Sequence, residues 1–278
     1  MNGTRNNFAK LFLLSFLSVF AAEASQFSAL VLHTNDVHGQ LYPVEYTAPS
    51  VGVVQIGGAA RRATLIRKLK DNAKKAGKHV LLLDAGDINT GTFESDQAKG
   101  LIDIEIMNQL RYDAAVLGNH EFDLLPPEQK KFIAAARFPI LAANVRNRYL
   151  RRLYKPYVIK KMGIKKVAII GLVTQDTPET STYGRTFPVR FTDPEAELTR
   201  CLEEIEGKAD FVIVLSHLGR DVDLHLGKKY KSKIDAIVGG HTHFREIVQI
   251  DPTTVYVRAG SKGPVSYTHL TLPTTPYV

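Results

Sequence analysis

Runs of consecutive apolar residues, VLLLD (80–84) and FVIVL (211–215) among them, recur along this chain and alternate with stretches of helical period. A strand that is apolar at successive positions is buried on both faces, which is the habit of parallel strands covered by helices. Strands are expected at 27–36, 79–87 and 138–145, with 113–123 a strand running into a loop, then in a hairpin over 157–174 that turns at Met162 and Gly163, then at 210–219, 234–243 and 255–260. Helical period falls at 57–77, at 100–110, near 127–136 behind Pro126, and at 193–207. In the last of these Asp193 is placed to cap the helix and Pro194 to open it. Strand–helix alternation of this kind predicts right-handed βαβ units and a largely parallel sheet, hence an α/β fold.

The polar residues that end the apolar runs carry the chemistry. Asp36 and His38 follow the first run, Asp87 the second and Asn119 the third, while His217, His241 and His243 follow the two late ones. In open α/β sheets ligands bind beyond the carboxyl ends of the strands, where all seven fall. Any one of them alone is more often a turn residue or a hydrogen-bonded histidine. Seven are too many for one tetrahedral zinc and suit two divalent ions that share Asp87. Mixed nitrogen and oxygen donors without thiolate fit Zn, Mn or Fe and do not choose among them. Asp36 and His38 stand two apart, so a continued extended backbone would direct both toward one ion. Asp84 leaves its strand earlier and reads as a supporting carboxylate. His120 and Asp123 remain: beside a phosphate, His120 could stabilise charge or protonate a leaving group, with Asp123 fixing its tautomer. Glu121 is left outside the site.

Composition narrows the class. The chain has 278 residues, 44% hydrophobic and 23% charged, which suits one large α/β domain. Its formal charge is +8, but the basic residues, such as Arg61, Arg67, Lys68 and Lys74, are spread along a helical stretch. That pattern fits a solvated face with some attraction for anionic substrates. A basic tract with interleaved aromatics is lacking, so a nucleic-acid polymer is not the expected partner. Cys201 is the single cysteine, which rules out an internal disulfide. Arg5 and Lys10, the apolar run at 11–20 and Ala22-Glu23-Ala24 read as a leader over 1–24, cut after Ala24. The mature protein is then periplasmic or secreted, without stable membrane insertion. The segment 264–278 reads as a non-native tail, and its His269 is set aside.

Taken in order, TNDVHG (34–39), DAGDINTG (84–91), LGNHEFD (117–123), LSHLG (215–219) and GGHTH (239–243) resemble the secreted 5'-nucleotidase family. That family is a branch of the dinuclear metallophosphoesterases, and the resemblance runs over about 28–263. It implies a four-layer α/β/β/α sandwich. It places one metal on Asp36, His38, Asp87 and His243, and a second on Asp87, Asn119, His217 and His241. It also implies a His120–Asp123 dyad, a metal-activated water as nucleophile, and small phosphate esters, nucleotides above all, as substrates. Asn89-Thr90-Gly91 stands where the Ser/Thr protein-phosphatase branch has Asp-Arg, which disfavours that branch. His243 stands where some members have Gln or Asn.

Members of that family usually carry a second, C-terminal domain that supplies the nucleoside pocket. The expected organisation here is therefore the leader, a catalytic domain over 25–263 with an incomplete last strand, and the tail. The expected reaction is nucleoside 5'-phosphate plus water to nucleoside plus phosphate. A 2',3'-cyclic-nucleotide phosphodiesterase, a UDP-sugar hydrolase and a thiosulfohydrolase are alternatives within the family. An inactive truncated fragment or a non-catalytic metal-binding protein is the alternative of another class. The sequence is silent on oligomeric state.

Overall fold

A computed structural model of the chain describes residues 27–48 and 52–271; the leader read at 1–24 lies outside them. The first half runs β1 (Ser28–Thr34), β2 (Pro43–Ala48), β3 (Gly52–Gly57), α1 (Ala59–Lys75), β4 (His79–Asp84), α2 (Phe93–Ala98), α3 (Leu101–Leu110), β5 (Ala114–Val116), α4 (Pro126–Ala135), β6 (Ile140–Leu141) and β7 (Val145–Arg146). The second half runs β8 (Tyr157–Met162), β9 (Lys165–Val173), α5 (Thr177–Thr180), β10 (Arg190–Phe191), α6 (Pro194–Ile205), β11 (Phe211–His217), α7 (Arg220–Lys229), β12 (Ala236–Gly239), β13 (Arg245–Gln249), β14 (Val255–Ala259) and β15 (Ser266–Thr271).

The strands form two main sheets, as the four-layer sandwich implied by the resemblance requires. The first has the order β15-β1-β4-β5-β6 and the second β13-β14-β12-β11-β9-β8. Neighbours within β1-β4-β5-β6 and within β14-β12-β11-β9 are parallel, whereas β15, β13 and β8 are antiparallel edge strands. Val31, Leu83 and Val116 of the first sheet join Ile169, Leu215 and Val238 of the second in one buried cluster between the sheets. The alternate residues Ile170, Val214 and Ile237 face outward and are covered by Leu198, Cys201 and Leu202 of α6. On the far side α1 packs on β4 and on α3. Helices thus flank two stacked sheets in four layers, α/β/β/α. Each fully buried Leu, Ile or Val contributes roughly 1.5–3 kcal/mol relative to exposure, so burial on both faces holds the strands in place.

Local signals explain the best-read elements. In α6, Leu198, Cys201, Leu202 and Ile205 make the buried stripe, and the Asp193 carboxylate accepts from the N–H groups of Glu195 and Ala196. In α1 the buried Ile66 and Ala73 face the core, and Lys74 and Lys75 meet the negative end of the helix dipole. The hairpin of β8 and β9 turns where expected, between Met162 and Lys165.

The run 113–123 is a strand, Ala114–Val116, that runs into a loop as expected, with Gly118 and a 3₁₀ turn at His120–Asp123 ending it. Other expectations are corrected. The run 138–145 splits: β6 stays in the first sheet, while β7 leaves to pair with β10. The strand expected at 234–243 stops at Gly239, so His241 and His243 sit on a loop. Residues 266–271, within the segment read as a tail, pair antiparallel with β1. Among the described residues no helix is long and apolar enough to cross a membrane.

Candidate metal centre

The parallel registers set the site. Thr34 on β1 lies beside Asp84 on β4, and Ser216 on β11 lies beside Gly239 on β12. The loops that follow are then stitched together by their backbones: the N–H of Asp36 donates to Gly86 O at 2.9 Å and that of His38 to Asp87 O at 3.0 Å. Asn35 ties this corner to the second sheet, donating to Gly260 O at 2.6 Å while accepting from the N–H of Ala259 at 2.8 Å. Asp36 and His38 are not extended, as the two-residue spacing suggested. Both have left-handed backbones, with φ of 49° and 51°, as do Asp87 at 54° and His241 at 69°. Such φ values are uncommon outside glycine and, where packing enforces them, cluster at functional sites.

All seven candidate ligands converge. Atoms of Asp36, His38 and His243 lie within 4.8 Å of one another, and so do those of Asp87, His217 and His241. Asn119 joins the second group, with its Oδ1 3.1 Å from both His217 Nε2 and His241 Nδ1. Asp87 connects the groups, its Oδ2 lying 3.1 Å from His217 Nε2 and 3.8 Å from His38 Nε2. Asp36, Asp87, Asn119 and His217 are buried, while the His243 side chain is half exposed.

The donor set fits divalent cations on tautomer grounds. His38 Nδ1 lies 3.0 Å from Thr90 O, and His217 Nδ1 lies 2.7 Å from Ala85 O. A ring nitrogen facing a carbonyl carries the hydrogen, which leaves each Nε2 lone pair turned inward. The Nε2 atoms of His38 and His243 lie 3.2 Å apart, and Asp36 Oδ1 lies 3.5 Å from that of His243. The electrostatics agree. Burial acts to lower the pKa of His217, but the Asp87 carboxylate overrides it and raises the group to about 10. Asp87 is depressed in turn, against its own burial, by His217, His120 and His38. The Asp87 carboxylate thus favours positive charge at this spot.

His120 and Asp123 form a pair at the edge of this cluster, with His120 Nδ1 2.6 Å from Asp123 Oδ2. That hydrogen bond, against partial burial, raises His120 to about 9. The imidazole also stands edge-on to His38 at 5.2 Å between centroids, and it shares a group of potential ligand atoms with His38 and Asp87.

Two glycines are required by close approach. A Cβ on Gly118 would meet Asp87 Oδ1 at 2.2 Å, and one on Gly86, where φ is +89°, would meet His217 Nδ1 at 2.7 Å.

Two side chains escaped the reading of the sequence. Glu121, set outside the site above, is fully buried and accepts N–H groups from Gly118 at 2.6 Å, Ile88 at 2.7 Å, Asp87 at 3.1 Å and Asn89 at 3.3 Å. It clamps the loop of Asp87 to the loop of Asn119. Burial and the Asp87 charge push its carboxyl up, to about 7, while those N–H groups pull the other way. A carboxylate between Leu117 and Phe122, both buried, was the available signal. The other is Thr182, whose N–H and hydroxyl both reach Asp123; it lies 59 positions from its partner, and nothing local marked it.

The calcineurin-like phosphoesterase family matches over residues 29–245. The chain is 39% identical over 250 residues to a snake venom 5'-nucleotidase of Crotalus adamanteus, covering 82% of this chain. It is 36% identical over 227 residues to a 5'-nucleotidase of Vibrio cholerae, covering 76% of this chain. In both cases it spans 39% of the relative's own length. Among solved structures it superposes on a 5'-nucleotidase precursor of Thermus thermophilus with a TM-score of 0.73 at 35% identity, covering 88% of this chain and 54% of that one.

Proposed function

This chain belongs to the calcineurin-like phosphoesterase family, and on that premise we propose that it is the catalytic part of an exported, two-metal phosphohydrolase acting on nucleoside 5'-phosphates. The observation that carries the reading is the junction at Asp87, where two groups of potential ligand atoms meet beside the His120–Asp123 pair. Asp36, His38, Asp87 and His243 would hold one ion, and Asp87, Asn119, His217 and His241 the other. Bound divalent ions supply Lewis acidity toward the phosphoryl group and a nucleophilic water at neutral pH. The chain's own residues do the rest. His120 donates a proton to the departing ester oxygen, and Asp123 holds Nδ1 so that Nε2 faces the substrate. Thr90 O and Ala85 O hold His38 and His217 in the tautomer that ligation needs. The named relatives support nucleotides as the substrate class.

The direct test is hydrolysis of AMP, a 2',3'-cyclic nucleotide and UDP-glucose side by side, with and without a chelator. Release of phosphate from AMP that stops on chelation and returns with Zn or Mn supports the reading. Preference for another substrate moves the assignment to that member of the family. A metal-loaded protein that turns over none of them is a binding protein, and the catalytic reading falls.

The pH profile carries a second expectation. His120 must be protonated to act as an acid, so activity is full below its raised pKa of about 9 and is lost as pH rises through it. Asp123→Asn removes the largest cause of that shift, so the alkaline limb of kcat should move to lower pH. A limb that stays put in the variant belongs to another group.

A further inference from the structure

The second oxygen of Asp123 has its own partners. While Oδ2 faces His120, Oδ1 accepts the backbone N–H of Thr182 at 2.6 Å and the Thr182 hydroxyl at 2.8 Å. Thr182 follows α5, a short turn anchored by the buried Thr177, whose hydroxyl donates to Thr174 O at 2.7 Å. The same turn reaches the metal ligands from its other side, because Asn119 Nδ2 donates to Thr180 O at 3.0 Å. That bond turns the amide so that its Oδ1 faces His217 and His241.

We infer that Thr182 is a positioning residue for the dyad: its two donors on Oδ1 fix the plane of the Asp123 carboxylate and reserve Oδ2 for His120. The inference rests on the proposed role of that dyad. The physical reason is that rotation of a carboxylate about its last torsion has broad, shallow minima. An unheld Oδ1 lets the plane swing, and the bond to Nδ1 weakens without any change in composition at the site. Two donors on one oxygen, one of them a backbone group on an anchored turn, remove that freedom. Thr182 itself is exposed and makes no hydrogen bond to His120, so it acts only through Asp123. The alternative is that the pair merely fastens the loop to the surface, in which case the imidazole is indifferent to it.

The test compares zinc-loaded wild type with Thr182→Ala and Thr182→Ser. The first readout is the downfield proton resonance of the His120 Nδ1–H bonded to Asp123, assigned by its disappearance in His120→Asn. It should be lost or shifted upfield in Thr182→Ala and kept in Thr182→Ser. The second readout is kinetic. With AMP, whose leaving group needs a proton, Thr182→Ala should lower kcat about 10-fold with little change in KM. With 4-nitrophenyl phosphate, whose leaving group departs unaided, the change should be much smaller. In an Asp123→Ala background Thr182→Ala should have no further effect.

An unchanged resonance in Thr182→Ala overturns the inference, as does an additive loss in the double variant or failure of serine to restore. Absence of the resonance from wild type overturns it too. If the resonance depends on Thr182 but no ester is hydrolysed, the positioning stands and the proposed reaction falls. If esters are hydrolysed and the resonance ignores Thr182, the reverse holds.

Discussion

His120→Ala is expected to lower turnover of a nucleoside monophosphate by about 10²–10⁴-fold, the usual worth of a positioned general acid, while metal content stays near that of wild type. His120 has the features such a role asks for. Its Nδ1 is bound by Asp123, its proton is held to about 9, and it stands at the rim of the ligand cluster. Burial leaves the side chain 32% exposed, so truncation should disturb packing little. The measurement is kcat on AMP together with metal analysis of the same sample. Turnover at the wild-type level would remove His120 from the mechanism. Loss of metal along with activity would make it a ligand, alongside His38 and Asp87, with which it shares a group of ligand atoms.

Glu121→Ala should be the most damaging change outside the proposed ligands. It leaves four N–H groups, those of Gly118, Asp87, Ile88 and Asn89, without their acceptor in a buried place. One unsatisfied buried group costs about 1–3 kcal/mol, and these four sit together, so a loss of at least about 3 kcal/mol is expected even if water enters. The damage should reach the metal centre, because the clamp sets the distance between the loops of Asp87 and Asn119. Glu121→Gln keeps the shape but turns an amide donor toward N–H donors, and should weaken metal binding with a smaller effect on folding. Denaturant unfolding of the metal-free proteins, with a zinc titration of each, separates the two effects. A Glu121→Ala protein that unfolds at the wild-type midpoint and binds zinc with wild-type affinity would refute the clamp.

Much of this could be seen in the chain itself. Continuous burial makes VLLLD and FVIVL legible as strands, and helix α6 announces itself through Asp193, Pro194 and a clean apolar stripe. The proposed ligands were visible because each follows such a run, and the end of a strand is where a parallel sheet opens to solvent. What escaped depends on partners distant in sequence. The pairing of β7 with β10 joins two residues on each side and has no local signature. The left-handed backbones of Asp36 and His38 follow from hydrogen bonds to Gly86 and Asp87, not from their own propensities. The hairpin of β2 and β3 is largely exposed and offers no alternation against a core. Glu121 and Thr182 are ordinary polar residues until the loops they hold are folded around them.

The span between ligands bears on how the protein comes apart. His38 and His243 are 205 positions apart in the chain, yet their Nε2 atoms lie 3.2 Å from each other. A cation held between them, as proposed above, would act as a reversible cross-link that closes most of the polypeptide into one loop, and the unfolded chain has no preformed site to hold it. Departure of the ion then becomes an early event on the way to unfolding, and the lifetime of the folded protein follows the free metal concentration around it. A protein of this design would be kinetically durable where divalent metal is plentiful and short-lived where it is scarce.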